Sequence, residues 1–266
     1  MPVHMRFALE AGASVDAGIA KGFAACGCLG GFVAFRSGLC EPFKFVVPAA
    51  SPDTLHAAWY SGTFAPAGKV EIKRACAIVG WRDQMPFVHC HGVWDTSEGL
   101  KMGHMVVPDT IVSEPIEVAG IGVRSGMFEA LPDPETNFTL FEPVQVAEDA
   151  TEWSGPRVLL AKVRPNEDIS LAIEGICSRR DIRTAKLHGI GSLNEVRFAD
   201  GTRVESHATE VLIREGRVEI AMGRPRAHLE IDIVDMAGQI FSGELAHGDN
   251  PVCVTFELIV EELDRS

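Results

Sequence analysis

The stretch PFVHCHGVWDTSEGLKMGHMV, residues 86–106, decides how the chain is read. Side chains two apart on a strand share a face, so His89 and His91 project together. DTSEG is a turn signal between two apolar flanks, and a turn centred on Ser97 and Glu98 pairs His91 directly with His104. The stretch therefore predicts a β-hairpin with three imidazoles on one face. A slip of the turn by a whole residue leaves His104 on that face, opposite Val93, whereas a half-step slip or an uncompensated bulge turns it away. Three neutral imidazoles with no fourth protein ligand nearby match a zinc site with an open position, where bound water becomes acidic or a substrate oxygen is polarised. The bland reading of such a pattern is three solvent-facing strand histidines.

Outward from the hairpin, the chain repeats itself. LGGFVAFRSGLCEPFKF (29–45) aligns without gaps on IRTAKLHGIGSLNEVRF (182–198), placing Gly38 on Gly191 and Phe45 on Phe198. VHCHGVWDTSEGLKMGHM aligns on AHLEIDIVDMAGQIFSGEL, placing His89 on His228, Gly99 on Gly238 and Gly103 on Gly243. The second copy keeps His228 but has Glu230 and Glu244 in place of the other two histidines.

A helix is predicted ahead of the first repeat in each half. EDISLAIEGICSRRD opens on acids, as a helix N-terminus favours, and carries Ile169, Ile173 and Ile176 on one stripe; SVDAGIAKGFAACG is the weaker equivalent, with Ile19 and Phe23 four apart. Each half thus reads strand, helix, strand, an irregular stretch, a hairpin and a closing strand, PIEVAGIGV in the first and PVCVTFELIVEEL in the second. EPVQVAEDATEWSGP (142–156) is acidic, aperiodic and closed by Gly-Pro, which places a junction there and divides the chain into domains 1–150 and 151–266. Duplication is the preferred account of the recurring order, against chance similarity between two α+β halves.

A length of 266 residues accommodates two ordinary domains. With 24 Lys+Arg against 37 Asp+Glu the formal charge is 24 − 37 = −13, a field that repels a polyphosphate backbone and disfavours nucleic acid as a partner. The apolar run GIAKGFAACGCLGGFVAF contains Lys21 and is too short and glycine-rich to span a bilayer, so a soluble, cytoplasmic protein without membrane contact is expected. The seven cysteines lack CxxC spacing, which suggests neither a disulfide framework nor a thiolate zinc site.

The HxH pair, turn glycine and later Gly-His resemble the plant and prokaryote conserved (PPC) domain, as do GIGSLNEVRF, FELIVEEL and MFEALPDPETNFTLFEP. The resemblance covers most of the chain. It implies an α+β fold of two tandem PPC-like domains, each a mixed, largely antiparallel β-sheet with a helix packed on one face. It also implies a metal site, commonly zinc, carried here by His89, His91 and His104, with the second domain lacking two of the three ligands. Single domains of the family are expected to form trimers, so a homo-oligomer is expected. Bacterial members are often labelled DNA-binding, but this chain has no AT-hook-like core; GRPRA (223–227) is a faint echo. The fold is also similar to that of acetolactate decarboxylase, a metal lyase acting on a keto or hydroxy acid, so a metal-dependent lyase or hydrolase on a small acid stands beside a non-enzymatic oligomerisation or regulatory module.

Other candidates are thinner. Arg82 could hold a substrate carboxylate or simply pair with Asp83. Glu98, Asp95 and Asp83 lie near the hairpin, where one could act as acid or base, although turn carboxylates are usually just solvated. His56, in an insertion that the second copy lacks, could serve as a fourth ligand or lid group, or be a plain surface-loop histidine. Gly189 and Gly191 form no phosphate loop and read as a tight turn.

Overall fold

Short β-branched and aromatic runs, punctuated by glycine and proline, give twenty strands and two α-helices among residues 2–146 and 155–263, which the computed structural model describes. The first half runs β1 (Pro2–Leu9), α1 (Val15–Cys26), β2 (Gly30–Phe35), β3 (Gly38–Cys40), β4 (Phe45–Val46), β5 (Pro48–Ala49), β6 (Trp59–Tyr60), β7 (Val70–Arg82), β8 (Met85–Thr96), β9 (Gly99–Met105), β10 (Ile116–Val123), β11 (Gly126–Pro132) and β12 (Thr139–Gln145). The second runs β13 (Val158–Val163), α2 (Ile169–Arg179), β14 (Ala185–Leu193), β15 (Val196–Arg197), β16 (Arg203–Val204), β17 (Glu210–Ala221), β18 (Arg224–Val234), β19 (Ile240–Glu244) and β20 (Val252–Glu262).

Two sheets carry the architecture. The first is ordered β1-β10-β2-β7-β8-β9-β4 and the second β13-β20-β14-β17-β18-β19, so six strands of each follow one order. Among the described residues pairing is antiparallel apart from one parallel bridge, Glu129 to Trp81, which joins the β11–β12 hairpin to β7. The expected domain boundary at 150/151, and most of the acidic stretch around it, lies outside the described residues; Glu142 to Gln145 of that stretch finish β12.

Both helices pack by an apolar stripe. Helix α1 buries Val15, Ile19 and Phe23, and closes on Gly27 in the left-handed conformation at φ 63°. Helix α2 is capped by Asp168, whose carboxylate accepts from the Leu171 amide at 2.9 Å. Its buried stripe is Ile169, Ile173 and Cys177; Ile176, expected in that row, is only half-buried because the four-residue step from Ile173 lands on the cysteine.

The two sheets share a core. Ile190, Leu212, Val234 and Ile259 of the second half belong to the same buried cluster as Phe32, Ile78 and Trp94 of the first. Strand β7 packs on β14, β8 on β17 and β9 on β18. Each buried Val, Leu or Ile contributes about 1.5–3 kcal/mol, so the four from the second half hold the sheets together without any cross-link. All seven cysteines are free.

Gly189 and Gly191 are not turn residues. They lie within β14, where a Cβ on Gly189 would meet the Glu257 carbonyl at 2.4 Å and one on Gly191 the Thr255 carbonyl at 2.5 Å. Their smallness lets β20 come close, and β20 carries a residue of the site described next.

Candidate metal site

Strand β8 is held between β7 and β9, and this fixes which way its histidines point. Val88 and Cys90 go into the core, leaving His89 and His91 on the opposite face. His91 lies directly across from His104, with Thr96 opposite Gly99 and the turn at Ser97–Glu98, the register that the turn signal predicts. Gly103 permits the close approach of β4: a Cβ there would meet the Val46 carbonyl at 2.3 Å.

The second half completes the cluster. Donor atoms of His89, His91, His104 and Glu210 all lie within 4.8 Å of one another. The Nε2 atoms of His89 and His91 are 2.9 Å apart, and a carboxylate oxygen of Glu210 also contacts His91 Nε2. His91 Nδ1 donates to the Val211 carbonyl at 2.9 Å, and His89 Nδ1 to the Glu257 carboxylate at 3.1 Å. Glu257 is held in turn by the Thr255 hydroxyl at 3.2 Å.

These contacts make the fit to a cation specific. A carbonyl can only accept, and an ionised carboxylate likewise, so both Nδ1 atoms carry the proton. If both rings are neutral, two Nε2 lone pairs then face each other, with Glu210 beside them. Only positive charge between them resolves that arrangement: a proton on one ring, or a metal ion bound by all the donors. Burial works against a protonated His91, but the charge and hydrogen bond of Glu210, with the Val211 carbonyl, outweigh it and raise its pKa above the ordinary histidine value. His104 goes the other way. Burial, then the charges of His89 and His91, push its pKa well below the ordinary value, so it is a neutral donor at pH 7.

Above the cluster opens a cavity of about 270 Å³. Tyr60 of β6 leans into it, with its hydroxyl 3.3 Å from His104 Nδ1. Burial of that hydroxyl, with Glu210 and Glu257 near, raises its pKa well above the ordinary tyrosine value and keeps it a neutral phenol.

Residues 150–264 match the Plants and Prokaryotes Conserved (PCC) domain family. A PPC protein of solved structure from Pyrococcus horikoshii is 23% identical, aligned over 44% of this chain and 86% of its own, with a TM-score of 0.36. A metal-containing protein from Archaeoglobus fulgidus is 16% identical over 53% of this chain and 93% of its own, with a TM-score of 0.43. A protein from Bacteroides thetaiotaomicron to which DNA binding has been ascribed is 15% identical over 42% and 85%, with a TM-score of 0.34. No curated protein matches the sequence.

The family match thus falls on the half that lacks two of the three histidines. In the PCC-matched half, Glu230 lies opposite Glu244, as His91 does opposite His104. There the Arg214 guanidinium reaches Glu230 at 2.6 Å, and His228 Nδ1 contacts Glu244 at 3.0 Å, all partly exposed. An arginine supplies the positive charge at that position.

The remaining sequence candidates separate. Arg82 does line the cavity, its guanidinium 5.6 Å from the Phe87 ring and its Nε 3.8 Å from Asp83. Glu98 sits at the exposed hairpin turn, 3.9 Å from Lys101, and Asp95 lies 3.8 Å from Lys73; neither lines the cavity. His56 is held by Asp53 at 3.0 Å and is not among the clustered donors. The fourth member of the donor cluster is Glu210, where the sequence offers no obvious fourth ligand and names only His56 as a candidate. The hairpin sequence does not reveal it because it comes from the other sheet. One signal was present: glutamate within an apolar strand run, as in ATEVLI and VTFELIV, is costly to bury unless it is paired.

Proposed function

We propose that this chain holds a divalent metal ion, zinc in the first instance, through His89, His91, His104 and Glu210. The observation that carries this is the facing pair of Nε2 atoms whose Nδ1 protons are both committed. Imidazoles suit zinc and other late first-row ions, and four protein donors leave room for a substrate when the ion expands to five-coordination. A bound ion would act as a Lewis acid on a substrate oxygen. Around it, Glu257 and Val211 orient the two strand histidines, Tyr60 offers a phenolic donor at the rim, and Arg82 offers a guanidinium to a carboxylate.

On this reading the protein is a metal-dependent lyase or hydrolase of a small keto or hydroxy acid, and its halves are two copies of one unit, the second having given up its own metal to supply Glu210 and Glu257. The shared strand order of the two sheets supports the duplication. The alternative, a non-enzymatic oligomerisation or regulatory module with DNA contact, gains nothing from charge. The chain carries −13, and Arg224 and Arg226 enter β18 paired with Ala221 and Glu219. Self-association as a homo-oligomer remains part of both readings.

Metal analysis of purified protein tests the proposal, with close to one divalent ion per chain expected and its loss in the His89→Ala/His91→Ala double variant. Stoichiometric metal in that variant, or none in the wild type, overturns it.

A further inference from the structure

The walls of the cavity say more than its floor. Trp59, Phe87, Phe138 and Phe141 line it from three separate segments: strand β6, strand β8, and the β11–β12 hairpin. Trp59 is 40% exposed and Phe87 37%, although both face a concave space rather than open surface. Large rings left uncovered inside a cavity lose contacts that an apolar ligand would restore.

The walls are braced against collapse. Asn137 Nδ2, at the hairpin tip, donates to the Leu55 carbonyl at 2.7 Å, tying hairpin to loop. His56, fixed by Asp53, packs edge-on against both Trp59 and Phe138, with centroids at 4.8 and 5.0 Å. From the second half, His207 contacts the Ala57 carbonyl at 2.7 Å. Phe87 and Phe141 meet edge to face at 5.6 Å. The insertion that carries His56 therefore fixes Trp59 against Phe138, whose ring centroids lie 5.6 Å apart, as one wall of the cavity.

Size and charge narrow the occupant. An apolar cavity of roughly 150 Å³ admits benzene; one of about 270 Å³ admits a ring with a short acid side chain. At the floor, Glu210 and Glu257 already balance a dication. Among the described residues Arg82 is then the single cation lining the cavity, so one negative charge on the ligand is matched and a second is not.

We infer that the cavity selects a small aromatic monoacid, such as an aryl-substituted keto or hydroxy acid, with its ring among Trp59, Phe87, Phe138 and Phe141 and its oxygens toward the histidine cluster. The inference rests on the metal reading above for the orientation of the acid and for the charge balance that limits it to one carboxylate; the ring selectivity belongs to the walls.

Calorimetric titration of zinc-loaded and metal-free protein with phenylpyruvate against pyruvate, and with mandelate against lactate, tests it. Burying a phenyl group predicts a preference of roughly ten-fold or more for each aryl acid. Phe138→Ala and Trp59→Ala should reduce that preference while leaving metal content unchanged, and phenylmalonate should bind more weakly than phenylacetate. Equal affinity of aryl and methyl acids, or no binding of either, overturns the inference even if the metal is present. An aryl preference in protein that takes up no metal upholds the inference and overturns the metal reading instead.

Discussion

Glu257 is the side chain on which the site turns without being a ligand. Its carboxylate accepts a hydrogen bond from His89 Nδ1–H, so the other ring nitrogen is left as a lone pair aimed at the cluster. Replacing it by glutamine keeps the volume and removes the charge. The expected result is metal affinity weaker by about 10–100-fold, the usual cost of losing such a partner, read by competition with a chromophoric chelator. Glu210→Gln replaces an anionic donor by a neutral amide oxygen within the cluster itself and should weaken binding further. An unchanged affinity in Glu257→Gln would mean that the tautomer is set elsewhere. At this scale the sequence was half legible. His89, His91 and His104 could be placed because period-two geometry and one turn bring them together within a single hairpin, whereas nothing local ties Glu210 or Glu257 to them.

At the scale of elements, the β8–β9 hairpin depends on a backbone contact. Gly103 lies between Met102 and His104, and a Cβ there would press on the Val46 carbonyl of β4 at 2.3 Å. Gly103→Ala must therefore push β4 away or tilt β9, at a cost of about 1–3 kcal/mol for an overpacked position. The expected outcome is a lower melting temperature together with weaker metal binding, since His104 is the next residue; thermal unfolding with and without added zinc reads both. A variant as stable as the wild type would show that β4 yields freely. Hairpins, closing strands and both helices were legible from alternation and turn residues. The β14 glycines read as a turn in the sequence because a glycine pair signals either a bend or a close approach, and only the position of β20 decides between them. The row of α2 is displaced by one residue for a similar reason: Cys177 is as buriable as Ile176, and the neighbouring strand chooses.

Across the whole molecule, the halves meet through charge as well as apolar burial. Lys162 of β13, almost fully buried, reaches Asp133 at 3.0 Å and Glu142 at 2.5 Å on the β11–β12 hairpin, which also forms a wall of the cavity. This junction could not be read from the sequence, because Lys162 lies beyond the aperiodic acidic stretch while Asp133 precedes it and Glu142 opens it, and the three carry no shared pattern. Burial works against ionisation of Asp133, but the hydrogen bond and charge of Lys162, with the Thr136 and Glu135 amides, outweigh it and hold its carboxyl below the ordinary value. A depressed acid pKa adds stability that is fully present above the ordinary aspartate value, near 4, and is lost as pH falls through the folded value. Denaturant unfolding between about pH 6 and pH 2 should therefore show wild-type stability falling on the acid side, with Asp133→Asn less stable at neutral pH and flatter below about pH 4. Breaking this contact should also loosen the hairpin that carries Phe138 and Phe141. If Asp133→Asn instead follows the wild-type acid limb in parallel, the Asp133–Lys162 pair does not stabilise the junction, and the hairpin is held by its other contacts, Glu142 with Lys162 among them.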